Sequence, residues 1–230
     1  GPILVPFFVL AVKIASVPLT YFSTFVHESG HAVAAILVGG KVTGMGVALD
    51  GSGLTTTLTS GAFWPVFVVK NAGYMAGALY GSFALLWGNR FGGTAWLFRF
   101  TAGVTAACTV LFTIFAIGPV SPGLTVGMRF FALAIGTVAT IAFWNVPRLV
   151  KSEFFREYLA GLFAVSCLFK AFDDIWTVYV VSSRQLADND ASALGEITGV
   201  PGPVWAALWA CLSAFVIWQS IRISRRREHA

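Results

Sequence analysis

Long apolar runs separated by short polar breaks make up almost the whole chain, and one stretch departs from that rhythm. The runs occupy residues 3–17, 18–38, 63–87, 94–117, 124–144, 155–181 and 203–223. All but the first approach or exceed the ~20 residues that an α-helix needs to cross a bilayer, so helices are predicted there. The first run is shorter, carries Lys13 and ends at Pro18. Because proline is tolerated in the first turn of a helix, a second helix is expected to start at Pro18 and to stop at Gly39-Gly40. Residues 41–60 are rich in Gly and Thr and hold two short β-branched runs around Asp50-Gly51-Ser52-Gly53, the pattern of a β-hairpin. The expected fold is an all-α polytopic membrane protein of about six transmembrane helices, with a small hairpin after the second run. It is read as one membrane-embedded domain over 1–230. Its parts are an N-terminal helical region 3–38, the hairpin 41–60, spans over 63–181, a polar loop 182–202, a last span 203–223 and a basic tail 224–230. Gly77-x-x-x-Gly81 within the 63–87 run would let two helices approach closely.

Composition agrees with the pattern. The chain is 57% hydrophobic and 11% charged, where soluble domains carry roughly a quarter charged residues. The net charge of +5 sits at the ends of the runs and in the tail rather than on a basic face with interleaved aromatics, which argues against nucleic acid as a partner. Arg90, Arg148, Lys151, Arg156, Arg222, Arg225, Arg226 and Arg227 fall on one side of the expected bilayer, and Lys41 and Arg184 on the other. The positive-inside bias then puts the C-terminus in the cytoplasm and the hairpin and the 182–202 loop outside. The first residues lack a basic segment and a small-residue cleavage site, so no cleaved signal peptide is expected. Cys108, Cys167 and Cys211 lie in apolar runs without CxxC spacing and read as free thiols.

The candidate chemistry lies in FVHESGHAVA, residues 25–34. His27 and His31, four apart, share one helix face, a spacing that lets two imidazoles hold one zinc ion with Glu28 beside them as a general base toward water. Three ionisable groups in an apolar helix are costly and usually functional. A third protein ligand is required, and His229 lies in the tail. Asp173 and Asp174 are acidic residues deep within an apolar run, and Asp174 and His31 each lie seven residues from the outer end of their runs, roughly 10 Å deep. The two aspartates could instead pair with Lys70 or Lys170, and Cys167 is a deeper rival ligand. Asn71 is a candidate to hold a substrate backbone or to bond between helices. Asp50 reads as a turn residue, and Asp188, Asp190 and Glu196 as solvated loop charges.

HESGHAVAAILVGGKV from His27, the hairpin after it, NAGYMAGALYG at 71–81, FDDIW from Phe172 and NDASALGEITGVPGPVWAALW from Asn189 together resemble the M50 metallopeptidases, the site-2 protease class, and within it the M50B-like group. The resemblance implies an intramembrane zinc endopeptidase. It implies His27 and His31 as zinc ligands, Glu28 as catalytic base and a distant intramembrane aspartate as third ligand, mapped to Asp174 with Asp173 as second choice. The LDG motif that carries this ligand in site-2 proteases is absent, since Leu49-Asp50-Gly51 lies in the hairpin. The implied partners are the bilayer and a membrane-protein substrate. Rival readings are a non-proteolytic subunit or scaffold of a larger membrane complex, a pigment site on one histidine, and a transporter.

Overall fold

A computed structural model describes residues 4–90, 93–116, 123–184 and 189–225, with side chains described for 17–87, 93–116, 123–184 and 189–223. Helix α1 (Leu4–Leu37) leads into strands β1 (Lys41–Val47) and β2 (Gly53–Leu58). Helices α2 (Phe63–Arg90) and α3 (Thr94–Thr109) follow, and α3 runs on through one π-helical turn at Val110–Ile114. Then come α4 (Val126–Leu149), α5 (Glu153–Arg184), the short α6 (Asp190–Thr198) and α7 (Gly202–Arg225).

The N-terminal region is one continuous helix rather than two, with Pro18 inside it. A proline in an otherwise apolar helix removes one backbone hydrogen bond without ending the helix when neighbouring helices support it. Gly39 closes α1 with a φ of 77°, as the Gly39-Gly40 pair predicts.

Among the described residues three helices are long and apolar enough to cross a membrane, Thr94–Ile114, Val126–Leu149 and Gly202–Ile223, fewer than the six expected. The other three long helices are interrupted by polar groups: His27, Glu28 and His31 in α1, Lys70 and Asn71 in α2, and Lys170, Asp173 and Asp174 in α5. The protein is an integral membrane protein that divides its helices into plain apolar ones and polar-bearing ones.

Close helix contacts follow from small residues. A Cβ on Gly30 would stand 2.6 Å from Ala76 Cβ, so α1 and α2 touch backbone to backbone. Gly81 meets Leu168 of α5 in the same way, at 2.7 Å, and Gly77 faces Ala171, which bears out the Gly77-x-x-x-Gly81 reading. A core of Phe22, Ala84, Leu97, Phe98, Phe143, Ala164 and Cys167 binds α1 to α5. The hairpin is an antiparallel pair with a bulge between Val42 and Gly44. Its turn is an Asx turn, in which Asp50 Oδ1 accepts from Ser52 N at 2.9 Å and Ser52 Oγ at 2.7 Å.

The 182–202 stretch is not a loop throughout. Asn189 Oδ1 caps α6 by accepting from Ala191 N at 3.0 Å and Ser192 N at 3.1 Å, and Gly199 ends it in the left-handed region at φ 73°. Ala191 and Leu194 are fully buried against Tyr74, Ile175, Val178, Ala206 and Trp209, so α6 is wedged among α2, α5 and α7. Asp188 lies outside the described residues.

Candidate metal centre

Successive positions on one face of α1 do different work. Tyr21 Oη donates to Leu49 O at 2.5 Å and Thr24 Oγ1 to Gly51 O at 2.8 Å, which fastens the hairpin turn to the helix. One turn on, Glu28 Oε2 accepts from Thr55 Oγ1 of β2 at 2.6 Å, and the same hydroxyl lies 3.1 Å from Glu28 O. Gly53 makes room for that carboxylate, since a Cβ there would fall 2.6 Å from Glu28 Cγ. Strand β2 therefore orients the expected base.

Helix α2 supports the histidines from the other side. His31 Nδ1 lies 2.7 Å from Val69 O, a contact that an Nδ1–H donates, and this turns Nε2 toward the cleft. His27 Nε2 lies 3.1 Å from His31 Nε2. Gly73 is what lets α2 pass so close, because a Cβ at this position would stand 2.5 Å from His27 Nε2. Tyr74 meets the His27 ring edge-on at 4.7 Å and is itself stacked on Trp209 at 4.0 Å.

The third group is Asp190, the first residue of α6. Its Oδ2 lies 3.3 Å from His31 Nε2 and its Oδ1 2.8 Å from Lys70 Nζ. Far from being a solvated loop charge, it is 18% exposed, and the inward placement follows from the capping of α6. Burial by itself would raise its carboxyl, but the neighbouring His31 and Lys70 overcome this and hold it well below the usual carboxylate range. Among the described residues His27, His31 and Asp190 form a group whose ligand atoms all lie within 4.8 Å of one another.

Asp173 and Asp174 are not brought into this group. Asp174 is ion-paired with Lys170, one turn earlier on α5, and Asp173 is 69% exposed with Lys170 Nζ at 3.7 Å. Of the partners considered for them, Lys170 is the one they have, while Lys70 goes to Asp190. Asn71 is engaged at both ends of its amide, accepting from Trp209 Nε1 at 2.6 Å and donating to Phe67 O at 2.7 Å. It joins α2 to α7 behind the site. Cys167 is buried in the α1–α5 core.

A cleft of about 400 Å³ opens onto the group, lined by His27, Glu28, His31, Asp190, Lys70, Tyr74 and the β2 residues Gly53, Leu54, Thr55 and Thr57. The Peptidase M50B-like family model matches residues 2–220. The chain belongs to the Peptidase M50B-like family. No curated protein and no solved structure matches it. Within this M50B-like chain the donor set fits zinc. Two bonds of about 2.0–2.1 Å at a tetrahedral angle put ligand atoms about 3.3 Å apart, against the 3.1 and 3.3 Å separations at His31 Nε2. Two imidazoles and a carboxylate are also a catalytic rather than a closed structural set, since a fourth position stays open. The signal for Asp190 was present in the sequence: Asn189 and Gly199 bracket nine residues with Ala191, Leu194 and Ile197 at helical spacing.

Proposed function

We propose that the protein is an intramembrane zinc endopeptidase in which His27, His31 and Asp190 would hold the metal and Glu28 is the general base. The observation that carries this reading is the convergence of three ligand groups from α1 and α6 on one cleft that also holds Glu28. Zinc, when bound, supplies a Lewis acid that polarises a peptide carbonyl and lowers the pKa of water. Glu28, held through Oε2 by Thr55, keeps Oε1 for taking a proton from the attacking water and passing it to the leaving amine. A substrate helix must unwind first, because its carbonyls are tied in i to i−4 bonds. Strand β2 borders the cleft and, among the described residues, has an edge with no strand partner, which suits an unwound segment pairing alongside it. The uneven distribution of Lys and Arg supports a cytoplasmic C-terminus.

The test is cleavage of a membrane-embedded reporter together with metal analysis of the purified protein. Glu28→Gln is expected to keep zinc and to lose cleavage by roughly 10²–10⁴-fold. His27→Ala and Asp190→Ala are expected to lose both, and Asp174→Ala to keep zinc. Full cleavage by Glu28→Gln would refute the peptidase reading and favour a non-proteolytic subunit. Zinc retained by Asp190→Ala but lost by Asp174→Ala would return the third ligand to α5.

A further inference from the structure

We propose that Lys70 is a positioning residue that fixes Asp190 as a one-oxygen ligand in the metal centre. This rests on the assignment of His27, His31 and Asp190 made above. The two oxygens of Asp190 are divided between partners: Oδ1 meets the Lys70 ammonium at 2.8 Å, and Oδ2 faces His31 Nε2 at 3.3 Å. The terminal torsion of an aspartate is broad, so an unrestrained carboxylate can turn to present both oxygens or neither. An ammonium on one oxygen selects the orientation that leaves the other for the metal. Partners of this kind, one step removed from the ion, orient ligands and raise affinity.

The placement of Lys70 in the chain reinforces the argument. Val69, the residue before it, holds the His31 ring through its carbonyl, so adjacent residues of one α2 turn set two of the three ligands. The ion pair is not needed to dock α6. That helix is already fastened by the burial of Ala191 and Leu194 and by Ser182 Oγ donating to Asn189 Oδ1 at 3.1 Å. Lys70 is also 37% exposed and lines the cleft, whereas an ion pair serving only to hold helices together has no reason to border the reaction space. The consequence of losing it should therefore appear at the metal before it appears in the fold.

The experiment uses the whole chain in detergent, with Lys70→Met beside Asp190→Ala. Zinc affinity is read by competition with a chelator, ligand geometry by the visible spectrum of the cobalt-loaded protein, and folding by thermal unfolding of the metal-free form. Lys70→Met is expected to weaken zinc by roughly 10–100-fold and to alter the cobalt spectrum while metal-free unfolding stays unchanged. Wild-type affinity and spectrum in Lys70→Met would overturn the positioning role, as would a loss of metal-free stability that accounts for the weaker binding. Full zinc affinity in Asp190→Ala would instead overturn the centre on which the proposal rests. Should Lys70→Met fail to fold, Lys70→Gln, which keeps a donor without the charge, is read by the same criteria.

Discussion

Replacing Gly73 by alanine adds a single carbon at the most crowded point of the site. Its Cβ would stand 2.5 Å from His27 Nε2 and closer still to His31 Nε2, where ordinary contacts are 3.4–4 Å. Either the imidazoles or α2 must therefore retreat by about 1 Å, a displacement that at a reacting centre costs on the order of 10²-fold in rate. His31 cannot yield easily, because its Nδ1 is tied to Val69 O at 2.7 Å. Helix α2 cannot yield easily either, because α5 and α7 pack against it, with Gly81 close to Leu168 and Tyr74 stacked on Trp209 at 4.0 Å. The strain falls on the directions of the two Nε2 lone pairs, which are what a metal reads. For the fold the change is milder. Overpacking costs about 1–3 kcal/mol, and removing a helical glycine returns about 0.5–1 kcal/mol. Gly73→Ala should thus lose zinc and cleavage by at least about 10²-fold while unfolding only slightly more easily. Gly103→Ala and Gly161→Ala are the matched controls, since an added carbon at either meets nothing within 4 Å. Zinc content, reporter cleavage and thermal unfolding of the three variants decide the matter. A Gly73→Ala protein that holds zinc and cleaves like wild type would refute the steric account, as would equal zinc loss in the controls.

Two further predictions concern the scaffold. Glu153 of α5 caps α3 from outside, accepting from Thr94 N at 3.0 Å and Thr94 Oγ1 at 2.7 Å and pairing with Arg156; these bonds hold its carboxyl down to about 2 from the ordinary 4.5. Glu153→Ala should lower stability by about 1 kcal/mol at neutral pH. Because the folded pKa is depressed, the contribution is complete above about 4.5 and is lost as pH falls through about 2, so the gap between wild type and variant in thermal unfolding should close on acidification. A gap independent of pH would refute the capping role. Arg129 of α4 donates to Ala116 O at 2.6 Å and Thr113 O at 3.4 Å, carbonyls at and just beyond the π-helical turn. Arg129→Met should cost about 1–3 kcal/mol in unfolding free energy, and an unchanged midpoint would show that these carbonyls find other donors.

Much of the fold was legible because hydropathy and turn chemistry act locally. The hairpin followed from Asp50-Gly51-Ser52-Gly53, the end of α1 from Gly39-Gly40, and the histidine pair from a spacing of four on a helix. What was not legible depends on direction around a helix axis and on neighbours far along the chain. Asp174 and His31 were matched in depth, but depth says nothing about which way a side chain points, and Lys170 at the i−4 position claims the Asp174 carboxylate. Asp190 reads as a solvated loop charge because its segment is polar, and polarity over a score of residues hides a nine-residue helix with an asparagine cap, a glycine stop and two buried apolar residues. Pro18 marks a helix boundary by the rules that hold in water, but inside α1 neighbouring helices support the backbone around it. Length marks α1, α2 and α5 as spans alongside the three plainly apolar helices found among the described residues, and what sets them apart is the polar groups they carry.

Those polar residues are not scattered. In an apolar setting every buried donor or acceptor needs a partner, and the groups around the cleft are paired almost to completion. His31 is held by Val69 O, Asp190 by Lys70, Asn71 by Trp209 and Phe67, and Asp174 by Lys170. Three supports, at Val69, Lys70 and Gly73, come from little more than one turn of α2, which itself supplies none of the metal-capable atoms. Against this background the remaining capacity stands out. Glu28 has one oxygen engaged by Thr55, and among the described residues its Oε1 has no hydrogen-bond partner. Glu28 lines the cleft that His27, His31 and Asp190 share, and an unengaged oxygen there is what the general-base role proposed for it needs.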